Sequence, residues 1–94
     1  MSIPTKHAYL ERFAKHKELL DKEHSWPAEY MFKFIVPVLK ETEVRALFPN
    51  HKPVVRESKL GNYVSLTVTF QAESSDIILA IYEKASQIEG LIAL

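Results

Sequence analysis

The stretch RESKLGNYVSLTVTF, Arg56 to Phe70, decides how this chain folds. In its second half Val64, Leu66, Val68, Phe70 and then Ala72 alternate with Tyr63, Ser65, Thr67, Thr69 and Gln71. Successive side chains of a strand point to opposite faces. Period two therefore puts the first set in a core and the second on a face open to water or to a partner. A helix would need apolar returns at three and four residues instead. The first half explains how the strand begins. Gly61 and Asn62 tolerate positive φ, and they lie between this run and the shorter strand-like VVRESK, Val54 to Lys59. Two strand-like runs joined by such residues read as a hairpin.

Working outward, EYMFKFIVP is a second strand candidate, rich in aromatic and β-branched residues. Tyr30, Phe32, Phe34 and Val36 share one face, Met31, Lys33 and Ile35 the other, and Pro37 ends it. TEVRALF follows as two helical turns, with Thr42 as the expected N-cap and Val44, Leu47 and Phe48 facing inward. Downstream, SSDIILAIYEKASQIEG is a helix: Ser74 or Ser75 caps it, Asp76 favours its first turn, and Gly90 stops it. Its core stripe is Ile78, Ile81, Tyr82, Ala85 and Ile88. LIAL is a short last strand. Upstream, residues 5–22 read as an amphipathic helix with Tyr9, Phe13, His16 and Leu20 on one face, supported by Glu11–Lys15 and Glu18–Lys22 pairs at i,i+4. It stops before HSWP, because the residue preceding a proline is pushed out of the α region.

The order is one extra helix and then β-α-β-β-α-β. This predicts an α+β, ferredoxin-like plait, with a four-stranded antiparallel sheet and two helices on one face. Residues 1–25 form the helical extension and 26–94 the plait.

Composition narrows the function. Ninety-four residues make one domain. Twelve basic residues balance twelve acidic ones, so no net positive field exists to hold a phosphate backbone, which disfavours nucleic acid as a partner. The absence of cysteine removes disulfides, thiolate metal sites and cysteine nucleophiles. The start of the chain lacks the apolar core of a signal peptide, and no apolar run approaches the roughly 20 residues that span a bilayer. The expectation is a soluble cytoplasmic domain without membrane contact.

The segments WPAEYMFKFIVP, SKLGNYVSLTVTF and IYEKASQIEGLIAL, in this order, resemble the YbeD-like family, small bacterial domains of unknown function. The resemblance runs from about Trp26 to Leu94. Its most specific pieces are Ser58-Lys59-x-Gly61-x-Tyr63-x-Ser65 and the block Tyr82…Ile88-x-Gly90. It implies a ferredoxin-like fold similar to small regulatory domains of the ACT type, and it brings no established catalytic residues. The segment Val38–Asn50 departs from it in being short for the family's first helix.

Lys59 and the amides around Gly61 are suited to an anion, but the pattern is no P-loop, because here the glycine opens a strand rather than a helix. Ser58, Ser65, Ser74 and Ser75 lack a nucleophile-elbow context. His7, His16, His24 and His51 have no tight ligand spacing. Metal carriers of this fold need a Cys-x-x-Cys loop after the first strand, and acylphosphatases need an arginine in a glycine-containing loop there. This chain has Pro37-Val38-Leu39-Lys40 instead. RNA readers need aromatics on the open face of the central strands, where Tyr63 stands among Ser65, Thr67 and Thr69.

The expected function is therefore a non-catalytic regulatory or adaptor domain acting through protein contacts, without cofactor or metal. The alternative is an ACT-like sensor that binds a small metabolite at a subunit interface, in a homodimer. Arg56, Ser58, Lys59, Gly61, Asn62, Tyr63, Ser65 and Thr67 are the candidate contacts for ligand or partner. The N-terminal helix is expected to dock on the open face near Tyr63, Ser65 and Thr67, or on that face of a partner, since a lone helix of its length is marginal in water.

Overall fold

The computed structural model describes the backbone of residues 6–94 and the side chains of residues 14–94. Helix α1 (Lys6–Glu23) precedes strand β1 (Ala28–Pro37). A 3-10 turn (Val38–Lys40) runs straight into the short helix α2 (Glu41–Arg45). Strands β2 (Val54–Glu57) and β3 (Tyr63–Ala72), helix α3 (Ser75–Ala85) and strand β4 (Ile92–Ala93) complete the chain. The sheet order is β2-β3-β1-β4, and every pair is antiparallel. This is a ferredoxin-like plait carrying an N-terminal helix.

The two long strands set the geometry. β1 and β3 pair along their whole length, from Ala28 opposite Ala72 to Pro37 opposite Tyr63. This register aligns the two alternations, so Phe32, Phe34 and Val36 of β1 share a face with Val64, Leu66 and Val68 of β3, and all six are buried. Val44 and Phe48 from the α2 region and Ile78, Leu79, Ala85 and Ile88 from the α3 region close this face. The aromatic rings interlock: Phe32 stacks on Phe34 at 5.9 Å between centroids, and Phe48 lies 5.3 Å from Phe32. Burying side chains of this size stabilises by about 1.5–3 kcal/mol each. Ile81 and Tyr82 are only partly buried at the rim of this core. Tyr82 shares its hydroxyl with Tyr30 at 2.8 Å, which satisfies both polar tips.

The hairpin forms where Gly61 demands it. A four-residue loop, 59–62, joins the pair formed by Ser58 and Tyr63: the Ser58 N–H donates to the Tyr63 carbonyl at 2.8 Å. Gly61 has φ +75° and Gly90, after α3, has φ +80°. Both values lie in the left-handed region that a Cβ disfavours.

Two expectations are corrected. Thr42 does not cap α2. The 3-10 turn leads directly into the helix, so the N-cap position falls on Lys40, which makes no side-chain cap. The short helix is held instead by Arg45–Glu41 and Lys40–Glu43 pairs at 2.7 and 3.1 Å. The second correction concerns α1, which packs against α3 in the helical layer and not on the open sheet face. Leu20 is buried in the core there, and Lys17 reaches the start of α3, 3.0 Å from Asp76. The helical layer offers apolar surface continuous with the core, whereas on the open face the apolar residues are interrupted by Lys33, Arg56, Ser65 and Thr67. The side chains of Tyr9 and Phe13 lie outside the described residues.

Candidate functional site

The face of the sheet opposite the helices is assembled from all four strands. Its residues follow from the register. One row runs Arg56–Ser65–Ile35–Ile92 across β2, β3, β1 and β4. The next runs Val54–Thr67–Lys33. Thr69 lies beside Met31, and Gln71 beside Glu29. At the other end Tyr63 lies opposite Pro37. Rows two residues apart are separated by about 7 Å and neighbouring strands by about 4.8 Å.

These rows place two different pairs at the corners of one square. Ser65 and Thr67, both half-buried, form its floor on β3. Arg56 and Lys33 stand at one pair of diagonal corners, and Ile35 and Val54 at the other. Among the described residues neither Arg56 nor Lys33 forms a salt bridge. The apolar members are open to solvent: Met31 is 60% exposed, Val54 62%, Ile92 54% and Tyr63 47%. These apolar residues are interrupted by Lys33, Ser65 and Thr67, so the face is mixed in character.

The eight residues singled out from the sequence divide into two groups. Arg56, Tyr63, Ser65 and Thr67 come together on the open face. Ser58, Lys59, Gly61 and Asn62 belong to the hairpin end. The Ser58 hydroxyl accepts the Tyr63 N–H at 3.1 Å, and the Gly61 N–H donates to the Ser58 carbonyl at 3.0 Å, so these groups are spent on the turn. The Asn62 carbonyl accepts the Val38 N–H and ties the hairpin to the end of β1. A shallow depression of about 200 Å³ lies where the two groups meet, lined by Ile35, Arg56, Glu57, Ser58, Tyr63 and Ser65 among others. Sequence reasoning missed Met31, Lys33, Ile35, Val54 and Ile92 as members of this surface. Their signal was present for β1, where they alternate with the core residues, but pairing alone shows that β1 and β3 are neighbours.

A second polar cluster joins α1 to α3. Lys17 lies 3.0 Å from both Ser75 Oγ and Asp76 Oδ1, and 3.7 Å from Asp21. The Trp26 indole N–H donates to Asp21 at 2.8 Å. Hydrogen bonding to Asp76 chiefly raises the Lys17 pKa, and hydrogen bonds from Ser75 and Trp26 hold Asp21 below the usual carboxylate range. These contacts clasp α1 to the start of α3. His16 lies beside Tyr82, His24 beside Trp26 and Tyr30, and His51 beside Phe48 and Phe70. The His7 side chain lies outside the described residues. Among the described residues no three His, Asp or Glu side chains converge as a metal ion requires, and no helix is long and apolar enough to cross a membrane.

No curated protein and no solved structure gives a significant match to this sequence. One family matches residues 21–94, which spans the last turn of α1 and the whole plait. By that match the chain belongs to the family described as "Protein of unknown function (DUF493)".

Proposed function

We propose that this chain is a YbeD-like, non-catalytic docking domain: a small regulatory or adaptor module of the bacterial cytoplasm whose open sheet face binds a protein. The observation that carries this reading is the set of exposed and half-buried apolar residues Met31, Ile35, Val54, Tyr63 and Ile92 on one sheet face that no described element covers. α1 packs on the helical layer, and this leaves the sheet face as the broad surface for a partner.

Two substitutions test it. Met31→Asp and Val54→Asp place charges at exposed positions of the docking face without entering the core, so the folded domain is expected to keep its denaturation midpoint. A photo-reactive residue at Thr67 is expected to cross-link one specific protein in the native host, and the Asp pair is expected to abolish the adduct. A cross-link that survives both substitutions, or that forms equally from Thr42 on the helical side, refutes the docking reading.

The depression at the hairpin favours a second reading, an ACT-like metabolite sensor. Arg56, Ser65 and Tyr63 could orient a small anionic ligand there. Its volume of about 200 Å³ is below the roughly 300–1,000 Å³ of ordinary ligand sites, so a second subunit would have to complete it. A thermal shift with a single amino acid, unaffected by the Asp pair, would favour this reading.

A further inference from the structure

We infer that the partner of the open face is an acidic amphipathic segment, with carboxylates flanking an apolar ridge. The inference rests on the docking reading above and names the class of partner.

The argument is one of charge complementarity. Among the described residues the charged groups facing this surface are Lys33 and Arg56 near its centre and Glu29 at its margin. Glu29 is four residues from Lys33 along β1, about 13 Å. Glu57 lies on the other side of β2, level with Val64, and only lips the depression. The middle of the face is therefore cationic although the whole chain is neutral. The two cations stand diagonally across Ser65 and Thr67, whose hydroxyls can donate to the same oxygens. A carboxylate above that floor meets two cations and two hydroxyls. Apolar side chains beside it meet Ile35 and Ile92 on one flank and Val54 on the other.

Other occupants fit less well. A second copy placed face to face brings the two cations of each copy into one interface whose carboxylates, from Glu29, stand only at the margin, and like charges gathered in an interface are unfavourable. A single-stranded nucleic acid needs stacking rings. Among the described residues Tyr63 is the one aromatic on the face, at its end, with Ser65, Thr67, Thr69 and Gln71 along the rest of β3.

The test uses the full chain, isotope-labelled, and three synthetic probes. The first is a helical peptide with leucine along one face and glutamate on its flanks. The second has the same leucines with lysine in place of glutamate. The third is a single-stranded oligouridylate. The acidic peptide is expected to shift the amide resonances of Ile35, Ser65 and Thr67, with affinity that weakens as salt shortens the Debye length from about 30 to about 3 Å. K33E/R56E is expected to lose about tenfold in affinity for the acidic peptide and to gain affinity for the basic one, which a merely structural role for these residues would not produce.

Equal or stronger binding of the basic peptide to the wild-type face overturns the acidic class while leaving protein docking in place. Tighter binding of the oligouridylate overturns both. Concentration-dependent shifts of the same residues without any probe identify a second copy as the occupant and also overturn the inference. Shifts confined to the helical side remove the open face from consideration altogether.

Discussion

Gly90→Ala is expected to destabilise this domain far more than Gly61→Ala, and the difference comes from one proline ring. Both glycines have positive φ, so alanine at either position carries a backbone cost of about 1 kcal/mol. At Gly61 that is the whole cost, because a Cβ built there meets nothing within 4 Å. At Gly90 the same Cβ would sit 2.9 Å from Pro37 Cγ and 3.1 Å from Cδ. Pro37 cannot easily yield: its ring is rigid, and it stands at the end of β1 opposite Tyr63. Overpacking of this kind adds about 1–3 kcal/mol, for a total of about 2–4 kcal/mol. In a domain of this size each kcal/mol lowers the melting temperature by about 4–8 °C, so the two variants should be readily separated. Trp26, the only tryptophan, reports unfolding by fluorescence, with far-ultraviolet circular dichroism as a second probe. Pro37→Ala in the Gly90→Ala background removes the ring and should recover the steric part, so the two changes are less than additive. Equal losses at both glycines, or strict additivity with Pro37→Ala, would refute the reasoning.

Other expectations follow from the core and from the clasp between helices. Phe34→Ala should cost about 3–5 kcal/mol and Val68→Ala rather less, with Ile81→Ala the mildest because Ile81 is only partly buried; guanidinium titration ranks them, and a different order would show that the face assignment is wrong. Leu20→Ala should raise amide exchange in residues 14–23 above that of β1 and β3, since Leu20 anchors α1 to the core; unchanged exchange would mean that α1 is held elsewhere. Burial, and then the hydrogen bond to Tyr30, raise the Tyr82 pKa above 10.0, so the folded chain keeps a proton that the unfolded chain releases. That contribution is complete below pH 10.0 and lost as pH rises toward the folded value, so Tyr82→Phe should flatten the alkaline fall in stability; parallel curves for variant and wild type would contradict it.

The plait itself was legible in the sequence because its determinants are local. The alternation from Tyr63 to Ala72 fixed a strand and its two faces, and the structure buries Val64, Leu66, Val68 and Ala72 as that alternation requires. Gly61 announced its turn by its own conformational freedom, and the spacing of Ile78, Tyr82 and Ala85 announced a helix against the sheet. Thr42 misled because N-cap preference is a property of one residue, whereas the helix start was set by the 3-10 turn after Pro37. α1 shows the larger limit. Its apolar stripe says that it must dock, but an amphipathic face carries no address. The address came from Leu20 meeting the core and Lys17 meeting Asp76, 59 residues away in sequence. The candidate surface shares that limit. Lys33 and Ile35 come from one segment and Arg56 and Val54 from another, and only the pairing of β2 and β1 on either side of β3 makes them neighbours around Ser65 and Thr67. Local periodicity determined what each strand buries, while long-range register decided what the four strands jointly expose.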